Sequence, residues 1–354
     1  MHSAVKAALR NAKRTALEGA KRAGVFTVVR NSGWRQRRLL VLCYHGIALE
    51  DEHRWSPSLY MSPSLLRERF ELLRAGGYQV LPLGEAIKRL YAQDLPARAV
   101  ALTFDDGYHD FCAAAWPLLR EFGYPATVYL ATFRCDRNLP VFNLAVPLIL
   151  WRRRGAVRDA GAIGLGELDL RTPRSRADVW ARIQQLAEKT GPEGKHQIAQ
   201  AVSDAIGGDY DAMTHRRMLT IMRPADVTRL ATEGLDIQLH THQHRTPRNR
   251  EAFNDEIARN RQRISELTGR VPEHFCYPSG LYEPEFLPWL AEAGVVSATT
   301  CDPGIAARSS EPLLLPRLVD HEGLSTIEFE AWLTGAASLA ARKAAAYRTG
   351  PSLL

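Results

Sequence analysis

From residue 39 onward, short apolar runs alternate with segments whose apolar residues recur every three or four positions. Residues 39–44, 99–104, 126–131, 235–240, 274–277 and 295–300 are short, rich in Val, Leu and aromatics, and read as buried strands. Between them lie helical patterns. Residues 62–75 open with Ser62-Pro63 as cap and first turn and stop at Gly76-Gly77. Residues 84–91, 108–122, 250–268 (closed by Gly269) and 284–293 (closed by Gly294) behave alike. Strands alternating with helices predict a mostly parallel sheet covered by helices. Six or more such units favour a barrel, whole or incomplete, over an open sheet.

Two segments break the rhythm. Residues 134–222 begin rich in Arg and Gly and then turn helical over 177–189 and 195–206. An insertion of that length carries its own structure and is expected to sit over the face it interrupts, as a lid or docking subdomain. The other is the N-terminus, where charge changes the picture. The chain is +7 overall, but residues 1–38 hold ten Lys or Arg against Glu18 alone, a net +9 that leaves −2 for everything after them. Val5, Leu9, Ala12, Ala16 and Ala20 recur at helical spacing, so residues 3–23 read as a basic, weakly amphipathic helix suited to an anionic membrane surface, or equally as a solvated arm. No aromatic residue lies among these charges before Phe26, which argues against nucleic-acid binding. The organisation expected is a basic arm over 1–37, a main domain over 38–335 containing the 134–222 insertion, and a C-terminal tail over 336–354.

No run of 18 apolar residues exists and the N-terminus lacks the apolar stretch of a secretory signal, so a location on the cytoplasmic side, at the inner face of the membrane, is expected. Five cysteines, odd in number and without a C-x-x-C pair, suit buried thiols in a reducing compartment.

The candidate chemistry lies where two strands end. Asp105 and Asp106 follow the run 99–104 directly, and Gly107 allows a tight departure into the next helix. Active-site residues of parallel barrels come from the C-terminal ends of strands. Adjacent residues leaving a strand point to opposite sides, so one carboxylate can face a metal and the other a water. His240, His242 and His244 fall within five residues at the end of another strand. Two imidazoles and one carboxylate leave coordination positions open, which is the arrangement of catalytic zinc. A bound cation also favours two adjacent ionised carboxylates and brings the pKa of its water toward ~7.

Thr103-Phe104-Asp105-Asp106-Gly107 followed by His240-Thr241-His242-Gln243-His244 resembles the T-F-D-D-G and H-[ST]-x-x-H signatures of the polysaccharide deacetylase (NodB-homology) family, over roughly residues 38–320. The resemblance implies a distorted (β/α) barrel and metal-dependent removal of acetyl groups from an N-acetylated sugar polymer or lipid-linked glycan, in the making of a cell-surface polysaccharide. It implies Asp105 as general base and Asp106, His240 and His244 as ligands of a divalent metal: zinc first, with cobalt, nickel or manganese as alternatives. Thr241 would support the turn, and His242 would be a substrate contact or an alternative proton donor. The segment 275–282, FCYPSGLY, is similar to the F-x-Y-P-x-G form of members linked to exopolysaccharides, with an oxyanion contact near Tyr277 or Ser279. The family's late histidine is missing from the segment 313–318, where Arg317 stands instead, available as a charge partner for Asp105. His45 in the turn after the first strand then becomes the candidate general acid. Rival readings are a hydrolase of other C–N amides or of O-acetyl esters, and a sugar-binding pseudoenzyme.

Overall fold

The computed structural model describes residues 2–340. Strand β1 (Leu40–Tyr44) is buried at every position, as expected of a parallel strand covered on both faces. Six more strands complete the main path of this sheet: β2 (Ala99–Phe104), β3 (Thr127–Leu130), β4 (Asp236–Leu239), β5 (His274–Cys276), β6 (Ser297–Thr299) and β7 (Leu318–Val319), with the short segment Gln79–Val80 pairing beside β2. They pair in parallel in the order β6-β5-β4-β3-β2-β1-β7. The sheet curls until its edges meet. Leu315 N donates to Ala298 O at 2.8 Å and Thr300 N donates to Leu315 O at 2.9 Å, so the ring closes through one residue ahead of β7. This is the distorted (β/α) barrel expected. The late leucine-rich segment is less of a strand than its composition implies, because Pro316 has no amide hydrogen to donate; it holds a short 3₁₀ turn (Pro312–Leu314) and then the two residues of β7.

The helices follow their patterns. The longer ones ahead of β2 are α1 (His2–Arg22), α2 (Val25–Asn31), α3 (Pro63–Ala75) and α4 (Leu83–Ala92). Next come α5 (Trp116–Phe122), α6 (Phe142–Arg152), α7 (Pro173–Ala187), α8 (Pro192–Ile206) and α9 (Pro224–Thr232). The last are α10 (Arg250–Thr268), α11 (Phe286–Glu292) and α12 (Thr326–Thr334). Helix α3 starts where the Ser62 side chain accepts from Leu65 N, and buries Leu66, Phe70 and Leu73. Helix α10 is capped by Asn249, buries Phe253, Ile257, Asn260 and Ile264, and ends at Gly269 in the left-handed region. The segment 108–122 departs from a single helix: it opens as a π turn (Phe111–Ala115) and becomes α5 only at Trp116. Pro117 lacks the amide hydrogen that an uninterrupted α ladder would need there.

The N-terminal helix is docked rather than solvated. Lys13 reaches Glu328 at 2.7 Å and Lys21 reaches Glu330 at 2.6 Å, both acids on α12. Its packed side is Arg14, Leu17 and Ala20, whereas Leu9, Ala12 and Ala16 face solvent, with Leu9 66% exposed. Of the expected apolar stripe only Ala20 falls on the packed side among the described side chains, since the contact is set by ion pairs with α12; the Val5 side chain lies outside the described residues. Of the expected tail, Ala336–Ala340 is a short helix and residues 341–354 lie outside the described residues.

The insertion shares its core with the barrel. Its apolar residues, among them Ile149, Ile183 and Val202, belong to one continuous core with the barrel residues Leu102 and Leu239. Its end is hydrogen-bonded to the loop after β2: Met222 N donates to Gly107 O at 2.9 Å and His109 N donates to Thr220 O at 2.8 Å. Arg152 further ties α6 to Asp51 at 2.6 Å and Glu50 at 2.8 Å, in the loop region after β1. The segment buttresses the site. No helix among the described residues is long and apolar enough to cross a membrane. The five thiols are free; Cys43, Cys135 and Cys276 are buried, while Cys112 and Cys301 are partly exposed, so burial holds for three of them.

Candidate active site

Asp105 leaves β2 with its backbone still in the ladder, its N–H donating to Tyr44 O at 2.9 Å. Asp106 then turns to φ 69° and Gly107 to φ 80°. A Cβ on Gly107 would lie 2.3 Å from Leu130 Cδ1, so a side chain here would have to displace the end of Leu130 as well as hold a left-handed backbone. The same backbone strain recurs at Thr241 (φ 60°), His244 (φ 55°) and Ser279 (φ 56°), all beyond the C-terminal ends of strands. Left-handed non-glycine residues clustered at one end of a barrel mark a site whose geometry the surrounding structure enforces. Thr241 supports its turn as expected of it, its Oγ1 accepting from Arg245 N at 3.0 Å.

These turns bring the two motifs together. Asp106 Oδ1 lies 3.2 Å from His240 Nε2 and 3.1 Å from His244 Nε2, and all three residues are buried. His240 Nδ1 lies 2.9 Å from the Cys276 carbonyl, which can only accept, so that nitrogen carries the hydrogen. In the neutral ring Nε2 is then a bare lone pair facing a carboxylate oxygen. A proton or a metal ion reconciles two such electron-pair donors, and the donor set of two imidazoles and one carboxylate fits a divalent transition metal. Burial alone would raise the Asp106 carboxyl; the neighbouring His244 and His240 hold it well below the usual carboxylate range.

Asp105 faces the other way. Arg317 grips it with both ends of its fork, Nη1 to Oδ1 at 2.8 Å and Nη2 to Oδ2 at 2.7 Å, with both side chains buried. Arg317 is itself aimed by the Thr300 carbonyl on Nε at 2.9 Å and by Thr103 Oγ1 on Nη1 at 3.1 Å. Burial pushes the Asp105 carboxyl up, but the guanidinium outweighs it and keeps the group ionised well below the usual range. The Cys43 and Cys276 thiols each donate to Oδ2 at 3.4 Å. His45 Nε2 is 3.8 Å from the same oxygen and partly open to solvent. Replacing Arg317 by methionine is expected to cost about 3–5 kcal/mol of unfolding free energy, because it strands a buried carboxylate. Urea unfolding of Arg317→Met, and of Arg317→Met with Asp105→Asn, checks this: the double variant should recover part of the loss, and a cost near zero for the single change would show that the pair does not brace the site.

The remaining candidates are His242, Tyr277 and Ser279. His242 Nε2 accepts from Arg259 Nη2 at 3.1 Å, and its Nδ1 therefore donates to Thr132 Oγ1 at 2.9 Å. Burial and the adjacent guanidinium lower its pKa, so the alternative of His242 as proton donor is set aside: its proton-accepting nitrogen is already in use. Tyr277 is also committed elsewhere, its N–H to Thr299 O at 3.2 Å and its hydroxyl to Leu313 O at 3.0 Å, which removes it as an oxyanion or substrate contact. Ser279 is exposed on the rim. Two contributors have no motif: Cys43, and Asn260 of α10, whose Oδ1 accepts from His240 N at 2.9 Å while its Nδ2 donates to Leu130 O at 2.9 Å. A polar residue on the buried stripe of an amphipathic helix is the signal that would have pointed to Asn260.

Comparison with known proteins agrees with this geometry. A segment of 95 residues is 35% identical to the poly-beta-1,6-N-acetyl-D-glucosamine N-deacetylase of Escherichia coli (strain K12), covering 26% of this chain and 14% of that protein. The chain thus matches only a small part of that relative's length. The fold resembles the Streptococcus pyogenes deacetylase PplD in complex with acetate, with a TM-score of 0.56 and 17% identity over 84% of this chain and 98% of that one. IcaB from Ammonifex degensii has the same TM-score and identity, over 84% of this chain and 97% of its own. The sequence model of the family described as polysaccharide deacetylase matches residues 92–298, a span that contains both carboxylates and both histidines. With more than half of the chain inside that match and the two motifs meeting at the mouth of the barrel, the chain belongs to the polysaccharide deacetylase family.

Proposed function

We propose that this chain removes N-acetyl groups from an amino-sugar glycan, in the making of a cell-surface polysaccharide, with the help of one divalent metal ion. The observation that carries the reading is the pairing of Asp106, His240 and His244 around one position with an ionised carboxylate, Asp105, left outside that set and locked by Arg317. A mere sugar binder has no use for that second carboxylate.

Asp106, His240 and His244 would hold the ion, which would supply Lewis acidity toward an acetamide carbonyl and make a water acidic near neutral pH. Asp105 is the base. Its Oδ2 is occupied by Arg317 and two thiols, whereas Oδ1 accepts only from Arg317, so Oδ1 keeps a lone pair for the proton of the attacking water. His45, beside Asp105 and partly open, returns a proton to the leaving amine; a well-placed acid of this kind contributes on the order of 10²–10⁴ in rate. Ser279, on the rim, is left as the backbone N–H donor toward the developing oxyanion.

The test is acetate release from β-1,6-linked N-acetylglucosamine oligomers, set against release from an O-acetylated oligosaccharide. Faster turnover of the amide is expected. Hydrolysis of the ester alone would move the reading to an esterase, and no release from either would remove it.

A further inference from the structure

A cleft of about 300 Å³ opens beside the metal-site histidines, lined by Phe133, Arg134, Ile221, His242, His244 and Arg245. That volume is at the small end of the range for ligand pockets. Its wall is the 3₁₀ turn Thr132–Arg134 that follows β3, and the turn is fixed in place. Asn260 Nδ2 donates to Thr132 Oγ1 at 3.0 Å and Phe133 N donates to His242 O at 2.8 Å. The Arg137 guanidinium lies 4.1 Å over the Phe133 ring, with its Nη1 buried and without a hydrogen-bond partner.

The charges around this cleft do not balance. Arg245 has Glu256 at 2.7 Å, Arg217 has Asp226 at 2.8 Å, Arg259 has Asp255 at 3.5 Å, and Arg263 pairs with Asp136. Among the described residues, neither Arg134 nor Arg137 has a carboxylate within ion-pair distance, although both are partly buried. Burial, and then the proximity of Arg137, already lower the Arg134 pKa. A half-buried guanidinium without a counter-charge is costly, and sugar hydroxyls can satisfy its hydrogen bonds but not its charge. The planar fork of arginine matches a carboxylate or a phosphate ester.

We propose that Arg134, backed by Arg137, forms an anion subsite next to the catalytic position, so that the preferred substrate presents its acetylated sugar beside a unit bearing a carboxylate or phosphate. The inference rests on the deacetylase reading above and narrows its substrate.

The test compares acetate release by the metal-loaded full chain from three substrates: neutral N-acetylglucosamine oligomers, oligomers of equal length alternating N-acetylglucosamine with glucuronate, and a diphosphate-linked N-acetylglucosamine. A kcat/KM at least about tenfold higher on one acidic substrate than on the neutral one is expected, falling to a ratio near one in Arg134→Gln, the size of one charge-assisted contact. The two acidic arms tell a uronate from a phosphate. Titration calorimetry of the same acidic compounds into the slow Asp105→Asn chain reads binding with little turnover, and should show at least about tenfold weaker binding when Arg134→Gln is added to it. Arg137→Gln, whose side chain does not line the cleft itself, gives a smaller loss and serves if Arg134→Gln fails to fold. Equal kcat/KM on neutral and acidic substrates, or unchanged binding in both variants, overturns the subsite; that result would also follow if the cleft served only to release acetate. Absence of acetate from every substrate with binding intact would instead overturn the deacetylase reading and leave the anion subsite standing.

Discussion

Asp105→Asn is expected to lower kcat for acetate release by about three orders of magnitude, the scale set by loss of a general base. Asparagine keeps the shape of the side chain but has no proton-accepting charge, and its amide nitrogen opposes one arm of the Arg317 fork. The variant leaves a buried guanidinium half-paired, so it should also unfold at lower urea concentration than the parent. Metal content separates the two effects, because the Asp106, His240 and His244 set is untouched. A folded variant carrying as much metal as the parent but turning over at more than a tenth of its rate would show that Asp105 is not the base.

The second large effect is on the ion. His244→Asn should reduce bound metal from about one ion per chain to near background and abolish acetate release, since three protein ligands are the minimum from which catalytic zinc sites are built. Asparagine is chosen because residue 244 has φ 55°, a region asparagine enters readily and alanine does not. The loss can then be read as loss of the imidazole and not of the turn. Elemental analysis after dialysis measures it, and chelator treatment of the parent should reproduce the same inactive state, reversed by added zinc. A His244→Asn protein that still binds one zinc ion with unchanged affinity would remove residue 244 from the ligand set.

Much of this arrangement is legible in the residues. Strands buried on both faces must be apolar throughout, so 39–44 and 99–104 announce themselves. The loops after β2 and β4 carry their ligands within a few residues of a strand end, where topology alone makes them converge. What sequence reading handles poorly depends on long-range choices. Arg317 and Asp105 are 212 residues apart, and nothing local separates a bracing arginine from a surface one. The face of α1 that packs is set by Glu328 and Glu330 on a helix some three hundred residues later, against the helix's own apolar pattern. The insertion reads as an addition because its composition changes, yet its apolar residues merge with the barrel core, which no count of local signals reveals. His242 sits amid the ligand motif, and only the partners Thr132 and Arg259 show that it turns away.

The place where the barrel closes carries one more implication. Leu315 stitches the first and last edges of the sheet together, and Arg317 stands two residues further along the same short stretch. Fraying at that stitch would release the guanidinium and let the carboxylate it holds regain an ordinary affinity for protons. Hydrogen exchange of the Leu315 amide and loss of turnover on mild denaturation should therefore report a single opening event, a local weak point that switches off chemistry before the molecule as a whole comes apart.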